Sequence, residues 1–134
     1  MTIPVIANGD INDFGDVLRA LEQSGADGVM IGRGAYGRPW FLAQVINYLR
    51  TGERLADPPL HRQLAIVLKH YEAILSHYGI ATGLRMARKH LGWYSRGLHG
   101  AAEFRGEINR QDDPERVMAM LRAFYEPQIE RQAA

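Results

Sequence analysis

Two short glycine-containing segments near the start of the chain have the residue types that bind phosphate groups. Asn8-Gly9-Asp10 follows one apolar run, and Gly32-Arg33-Gly34 follows a second. Such loops leave backbone N–H groups accessible to a phosphate, and a helix that starts just beyond adds its positive end. Arg33 supplies a charge for a phosphate or for a ring carbonyl. One glycine at a strand-to-helix turn is common for chain geometry alone, but the two segments together indicate a phosphate site.

Cations occupy one face of the helix that we predict from Ala81 to Ser95. Arg85, Lys89 and, just past the helix end, Arg96 share that face, and Arg88 lies at its border. A positively charged helix face attracts the phosphates of a nucleic acid, and the alternative is that these cations are simply a solvated surface.

Aromatic residues border the same face. His90, Trp93 and Tyr94 lie beside the cations, and this combination favours stacking on exposed RNA bases. The alternative is that Trp93 and Tyr94 are core aromatics, and for Trp93 we favour the core. We expect His90 to be a hydrogen-bonded structural residue and not a general acid. The histidines show no metal-ligand pattern with carboxylates, so we expect no metal.

The elements around the glycine segments decide whether these segments meet. The apolar runs Ile3–Ala7 and Gly28–Ile31 predict two strands covered on both faces, as in a parallel sheet. A helix capped by Asn12 or Asp13 should connect them and end near Ser24. A strand, a helix and a strand in this order indicate a right-handed crossover, and ligands of such folds bind at the carboxyl ends of the strands. The sequence lacks the glycine patterns of Rossmann and P-loop sites.

The remainder of the sequence is predicted to be helical. One helix starts in the region of Pro39 and ends at Thr51-Gly52, and residues 53–59 resemble a linker. Four further helices are predicted at Leu60–Tyr78, Ala81–Ser95, Ala101–Asn109 and Pro114–Tyr125. The sequence therefore predicts a segment of α/β structure followed by an α-helical bundle.

The composition limits the class of protein. The chain has 134 residues, of which 46% are hydrophobic and 23% are charged, as in ordinary folded proteins. It contains no cysteine, which excludes a disulfide, a thiolate zinc site and a cysteine nucleophile within it. No apolar run approaches the roughly 18 residues of a membrane span. We expect a cytoplasmic protein with no membrane partner.

Positive charge is concentrated in the middle of the chain, although the formal net charge is only +1. Residues 60–110 carry 8 Lys/Arg against 3 Asp/Glu, whereas residues 1–59 carry 5 against 7 and residues 111–134 carry 3 against 5. This asymmetry suggests an anionic partner for the middle segment, with a solvated basic face as the alternative.

Three motifs in order carry a family resemblance. "PVIANGDI", "GADGVMIGRGAYGRPW" and "GLRMARKHLGWYSRG" followed by "FR" resemble the C-terminal part of the bacterial tRNA-dihydrouridine synthases, in the branch called nitrogen-regulation-like. The likeness runs from about Ile3 to about Tyr125. It implies a fold class of α/β plus all-α, namely the last two β/α units of a TIM barrel followed by a four-helix bundle. Residues 1–52 would be the FMN-binding barrel fragment, and residues 60–127 the helical tRNA-binding domain.

The resemblance also implies the chemistry and the residues that serve it. The family uses FMN and NADPH to reduce particular uridines of tRNA to 5,6-dihydrouridine, so we expect these cofactors and tRNA as the partner, with no DNA. By position, Asn8, Gly9 and Asp10 match the flavin-binding segment after barrel strand seven, and Gly32 and Arg33 match the one after strand eight. The residues expected at the RNA are Arg85, Arg88, Lys89 and Arg96.

The chain departs from the family at the catalytic acid. In the family a cysteine protonates the uracil carbon next to the one that receives hydride, and this chain has no cysteine. We therefore expect no catalytic residue here and no activity from the chain alone. Two alternatives stay open: a non-catalytic RNA-binding helical module, or a fragment of another FMN-dependent TIM-barrel oxidoreductase. Two strands with an uncovered edge also predict self-association or pairing with the remaining barrel.

Overall fold

The computed structural model describes residues 2–134 of the chain. They form two compact units, one that ends at Asp57 and one from Pro58 to Ala134, which we call the α/β unit and the helical unit. The predicted domains, residues 1–52 and 60–127, lie within these units, and their roles in binding flavin and tRNA stay predictions. None of the helices in residues 2–134 has the length and apolar character needed to cross a bilayer.

The α/β unit contains one strand–helix–strand crossover. β1 is Ile6–Asn8, α1 is Phe14–Ser24 and β2 is Gly28–Met30. The strands pair in parallel, so that Ile6 lies opposite Gly28 and Asn8 lies opposite Met30. The predicted parallel pair is confirmed, but both strands are shorter than predicted. β1 begins at Ile6 and not at Ile3, and β2 ends at Met30 and not at Ile31.

The expectation that both faces of the strands are buried is wrong. Val29 and Ile31 pack against the core of this unit, which consists of Ile11, Val17, Phe41 and Val45. Side chains alternate between the faces of a strand, and on the other face Ile6 and Met30 are 56% and 54% exposed. The sheet has two strands within the described residues, and the helix α1 packs on one side of them.

Asp13, one of the two predicted caps, begins α1. Its side chain accepts a hydrogen bond from the Asp16 N–H at 2.7 Å, and the Asp16 carboxylate accepts one from the Asp13 N–H at 3.2 Å, which is a capping box. The N–H of Asn12 also donates to Asp16, at 2.9 Å, and this bond lowers the pKa of the Asp16 carboxyl group. Gly25 ends the helix with a φ of 66°, a conformation that favours glycine.

α2 is Phe41–Thr51 and ends at Gly52. It begins after Pro39, which was predicted to lie in its first turn. Gln44 is buried, and its side-chain amide donates to Asp57 Oδ1 at 3.0 Å, while Trp40 Nε1 donates to the same oxygen at 3.2 Å. The predicted linker, residues 53–59, has no helix or strand, but Asp57 is held against α2.

The helical unit consists of four helices. They are α3 (Leu60–Tyr78), α4 (Ile80–Tyr94), α5 (Ala101–Ile108) and α6 (Pro114–Ala133). α3 packs on α4 and α6, and α5 packs on α4 and α6. All four predicted helices are present. Because α5 has only 8 residues, the helices differ widely in length, and a regular four-helix bundle stays a prediction.

α6 extends to Ala133, well past its predicted end at Tyr125, and contains Pro127 in its interior. Proline removes a backbone donor and disfavours a helix interior, so packing must compensate. Tyr125 and Gln128 are buried, and the Gln128 amide donates to the carbonyl of His99 at 2.6 Å. Further along, Gln132 Oε1 accepts the N–H of Leu60 at 2.8 Å, which attaches the last turns of α6 to the start of α3.

Candidate phosphate-binding loops and nucleic-acid interface

The parallel register brings the two glycine segments to one edge of the sheet. β1 ends at Asn8 opposite the end of β2 at Met30, so both loops follow from the carboxyl ends of the strands. Arg33 Nη2 lies 3.3 Å from Asp10 Oδ1. The two side chains are 82% and 85% exposed, so the ion pair contributes only about 0–1 kcal/mol, and both groups are accessible from solvent.

Two glycines leave the backbone of these loops open. A side chain at Gly9 or at Gly32 would meet no atom within 4 Å. Gly9 has a φ of 138°, which residues with a side chain rarely adopt. Asp10 has a φ of 45°, in a region that aspartate enters more readily than most residues. A small anionic group can therefore approach the main chain at both loops.

Gly34 allows close packing of the two loops and does not open the backbone to a ligand. A Cβ atom there would overlap the carbonyl oxygen of Ile11, so only glycine lets the two loops touch through their backbones. Arg38 fixes the same contact, because its Nε donates to the carbonyl of Gly34 at 2.8 Å and its Nη2 donates to the carbonyl of Asn12. Arg38 was not among the predicted site residues, since nothing in its local sequence indicates partners in the preceding loop.

α4 separates its apolar and charged residues as predicted. Leu84, Ala87 and Leu91 are buried in the helical unit. On the opposite side the exposed cations are Arg85, Lys89 and, just beyond the helix, Arg96. The structure therefore presents a basic surface of the kind expected, and its role in RNA binding stays a prediction.

Arg88 is held in place by the segment before α6. Its Nη2 donates to the carbonyl of Gln111 and to Asp112 Oδ1, both at 3.2 Å. The side chain of Arg88 is 27% exposed, whereas that of Asp112 is 91% exposed. Arg88 is thus an ordered cation at the border of the basic face.

An open cleft of about 420 Å³ lies between α4 and α5, and we call it the α4–α5 cleft. Its charged, polar and aromatic lining consists of Arg88, Lys89, Trp93, Arg96, Arg105 and Asn109. Four of these residues are cations and none is a carboxylate. Gly92 lines it as well, and a Cβ atom at Gly92 would lie 3.1 Å from Cδ of Arg105. The missing side chain therefore lets the stem of Arg105 lie close to α4.

The cleft brings together three of the four predicted RNA-binding residues, and Arg85 is not among its lining residues. Arg105 lies on α5 and Asn109 follows the end of that helix, and neither was predicted. The periodicity of α4 contains no information about residues of a neighbouring helix. The available signal was the "FR" pair of the third motif, which is Phe104-Arg105.

Trp93 lines the cleft and is half-buried, so its predicted core position is wrong, whereas Tyr94 is in the core. The Trp93 ring lies edge-on to His90, with centroids 5.0 Å apart, and His90 lies edge-on to His70 at 4.9 Å. His70 Nδ1 is 2.8 Å from the hydroxyl of Tyr94. The indole is therefore supported by an ordered row of rings.

Burial disfavours the charged forms of the titratable groups in this row of rings. It lowers the pKa of His70 and of His90, and repulsion from His70 lowers the latter further. Burial also raises the pKa of Tyr94 to about 12. These groups form a packed hydrogen-bonded cluster. Among residues 2–134, no group of three or more His, Cys, Asp or Glu side chains is arranged to hold a metal ion.

Comparison with known proteins places these features in a family. Residues 1–130 match the dihydrouridine synthase (Dus) family. The chain is 54% identical over 123 residues to a probable tRNA-dihydrouridine synthase of Rickettsia conorii and 50% identical over 137 residues to one of Rhodobacter capsulatus. It is 44% identical over 125 residues to tRNA-dihydrouridine synthase B of Pseudomonas aeruginosa.

These similarities cover 92%, 100% and 93% of this chain but only 37%, 40% and 38% of the respective relatives. The chain thus spans about two fifths of the length of the curated relatives it matches. The family match includes the glycine segments of the α/β unit and the basic helix of the helical unit. On this basis the chain belongs to the dihydrouridine synthase family.

Proposed function

We propose that this chain is the C-terminal part of a tRNA-dihydrouridine synthase, which uses NADPH and FMN to reduce uridine in tRNA to 5,6-dihydrouridine. One observation carries the proposal: a single family match spans both the α/β unit and the helical unit. Another FMN-dependent TIM-barrel oxidoreductase would share the glycine segments, but it would not be expected to continue into the basic helices. The tRNA substrate favours a cytoplasmic location.

The loops at the carboxyl edge of the sheet fit the phosphate end of FMN. The residues that would hold it are Asn8, Gly9, Asp10, Gly32 and Arg33. The open backbone at the two glycines allows close approach, and the exposed guanidinium of Arg33 would balance the negative charge of the phosphate or polarise a ring carbonyl. When bound, FMN supplies the hydride transfer. In this chain Asp10 lies within hydrogen-bond distance of Arg33, and Arg38 bonds the two loops to each other.

The helical unit would hold the tRNA through its phosphates. Arg85, Lys89 and Arg96 are exposed on one side of the unit, and Arg88 is an ordered cation at its border. Cations that contact RNA phosphates release counterions, so the affinity falls as the salt concentration rises. A salt dependence of binding is therefore the signature of this interface.

A double variant in which both Arg85 and Lys89 are replaced by alanine tests whether these residues bind tRNA. Both residues are exposed, so the fold should be unaffected, and the tRNA affinity should fall by roughly 10-fold because two phosphate contacts are lost. The slope of log affinity against log salt should decrease by roughly one unit per contact. The measurement is a salt titration of labelled tRNA binding to the whole chain.

Arg19 on α1 is the matched control for this experiment, because it is an exposed cation of the α/β unit. Its replacement with alanine should leave the affinity and the slope as they were. An unchanged affinity and slope for the Arg85/Lys89 double variant would show that these cations are an ordinary solvated surface.

The 134-residue chain alone should not form dihydrouridine. It contains no cysteine to protonate the uracil, and its described residues supply a sheet of only two strands. The purified chain is incubated with unmodified tRNA, FMN and NADPH, and the nucleosides are analysed by mass spectrometry. Dihydrouridine above the level of a reaction without protein would contradict this expectation.

A second candidate function is non-catalytic RNA binding by the helical unit, and the lack of a cysteine favours it. The two candidates differ in their affinity for flavin. A chain that binds tRNA but gives no change in FMN fluorescence at any concentration tested would support the binding module. FMN binding that is lost on Arg33→Ala would support the synthase fragment.

A further inference from the structure

We propose that the α4–α5 cleft holds one unpaired nucleotide of the tRNA, with its base against Trp93 and its phosphate among the surrounding cations. This inference rests on the proposed function, because it takes tRNA to be the partner of the helical unit. It goes further by naming a nucleotide subsite and by assigning Arg105, Asn109 and Trp93 to it.

The size of the cleft suits a single nucleotide. Sites for small ligands measure about 300–1,000 Å³, and this cleft measures about 420 Å³. A duplex presents its bases stacked inside the helix, where a side chain in a cleft of this size cannot stack on them. Sequence-specific proteins instead bind RNA bases that are splayed out of single-stranded segments.

The charge of the cleft suits a phosphate. Its cations come from two helices, with Arg88 and Lys89 on α4 and Arg105 on α5. Arg88 is held before any ligand arrives by its bonds to Gln111 and Asp112, and the aliphatic stem of Arg105 lies close to Gly92. Preorganised cations lose less conformational entropy on binding than mobile ones.

Trp93 supplies a surface for stacking. The edge-on contacts from Trp93 to His90 and from His90 to His70 fix the plane of the indole, while part of Trp93 lines the cleft. Stacking of a base on an aromatic side chain is worth about 1–3 kcal/mol. Asn109, at the rim, offers an amide that can both donate to and accept from the edge of a base.

The fluorescence of Trp93 reports binding in the α4–α5 cleft. The chain contains two tryptophans, so Trp40→Phe leaves Trp93 as the only one. The probes are a single-stranded uridine hexanucleotide, a GC-rich RNA duplex long enough to stay annealed at the temperature of the measurement, and inorganic phosphate. We expect saturable quenching of Trp93 by the single strand and at least roughly 10-fold weaker responses to the duplex and to phosphate.

Two variants of the otherwise unchanged chain make the test independent of the Trp40 substitution. Their affinity for the fluorescently labelled hexanucleotide is measured by anisotropy. Trp93→Leu and Arg105→Ala should each weaken binding by roughly 10-fold, and Arg105→Ala should also lower the salt slope by about 0.7. Arg122, an exposed cation on α6 that is not in the cleft lining, is the matched control, and Arg122→Ala should bind as the unchanged chain does. Circular dichroism checks that each variant is folded.

The outcomes separate this inference from the proposed function. If the chain binds tRNA and both variants bind the hexanucleotide and tRNA as tightly as the unchanged chain does, the nucleotide subsite is wrong and the tRNA-binding function stands. Equal quenching by the duplex or by phosphate would also overturn the subsite. If the unchanged chain binds no tRNA at low salt, the proposed function fails and the inference fails with it.

Discussion

Glycine residues have two different structural roles in this protein. At Gly9 and Gly32 the absent side chain leaves open space next to the backbone, whereas at Gly34 and Gly92 it permits close contact with another segment. The second role is the more demanding one, because the neighbouring atoms already occupy the place that a Cβ atom would need. Gly34 is the extreme case, since its neighbour is a backbone carbonyl that cannot rotate away.

Gly34→Ala should destabilise the α/β unit. The added carbon overlaps the carbonyl oxygen of Ile11, and the loops must separate at a cost of about 1–3 kcal/mol, typical of overpacking. Urea denaturation followed by the fluorescence of Trp40, in a Trp93→Phe background, measures the free energy of unfolding. Gly15→Ala in α1 is the control, since its Cβ would meet only side-chain atoms at 3.3 Å. Equal stability of the two variants would show that the loop contact is not needed.

Residues whose position follows from local sequence could be predicted, whereas residues placed by long-range contacts could not. The two loops and the cations of α4 could be predicted because the relevant residues are neighbours in the sequence or share a helix face. Arg38, whose partners lie in the preceding loop, and Arg105, on a different helix from the predicted face, could not. Trp93 was misassigned because a large aromatic residue is usually buried, and only packing shows that it lines a cleft.

The helices differ in how strongly their sequences define their ends. α1 is bounded by the Asp13 capping box and by Gly25, and its prediction was accurate because both signals are local. α6 has a clear start, where Asp113 accepts the N–H of Glu115 at 3.1 Å. Its end was predicted too early, because the contacts that carry it past Pro127, from Gln128 and Gln132, reach residues distant in sequence.

The packing of α3 on α4 should make the helical unit sensitive to acid. Burial lowers the pKa of His70 and of His90 below the ordinary value of 6.5, so the unfolded chain takes up these protons more readily than the folded one. Stability should be complete above about pH 6.5 and should decline as the pH falls through that value towards the lower folded pKa. Thermal unfolding followed by circular dichroism should show a midpoint lowered by roughly 4–8 °C per 1 kcal/mol lost.

A variant with one titrating ring removed provides the check on this acid sensitivity. His90→Gln should show a smaller loss of stability between about pH 7.5 and about pH 5.5, because fewer protons are taken up on unfolding. His61→Gln, at an exposed position of α3, should decline as the unchanged chain does. The explanation is wrong if His90→Gln loses as much stability as the unchanged chain.

At the scale of the whole molecule, each unit has one exposed surface that bears on its interactions. The helical unit exposes cations along α4, whereas the α/β unit exposes apolar side chains, with Ile3 at 66% and Ile6 at 56%. Sequence periodicity identified these apolar runs as strands but indicated burial on both faces. Burial depends on what packs against a strand, and a pattern within the strand does not contain that information.

The exposed apolar face and strand edges of the α/β unit should cause self-association. Each strand has one paired neighbour within the described residues, and unpaired edges with apolar side chains pair readily with other chains. Sedimentation velocity should show oligomers of the whole chain, and fewer of them for an Ile3→Lys/Met30→Lys variant. Gln23→Lys, at an exposed position of α1, is the control for added charge. A monodisperse monomer at concentrations used for structural work would count against this.

The bond between Arg88 and Asp112 has a consequence for selectivity. The Asp112 carboxylate already bonds one nitrogen of the guanidinium, Nη2, so an anion that binds Arg88 at this nitrogen competes with it, whereas the other guanidinium N–H groups remain available to a ligand of the α4–α5 cleft. A small free anion gains a contact with Arg88 but displaces the contact with Asp112, so its net free energy of binding is small. A polyanion that contacts several cations at once overcomes this competition. The released Asp112 carboxylate loses little stabilisation, because it is already 91% exposed and water can solvate it. We therefore expect Asp112 to weaken the binding of small anions at Arg88 more than it weakens the binding of an RNA strand that contacts several cations of the cleft.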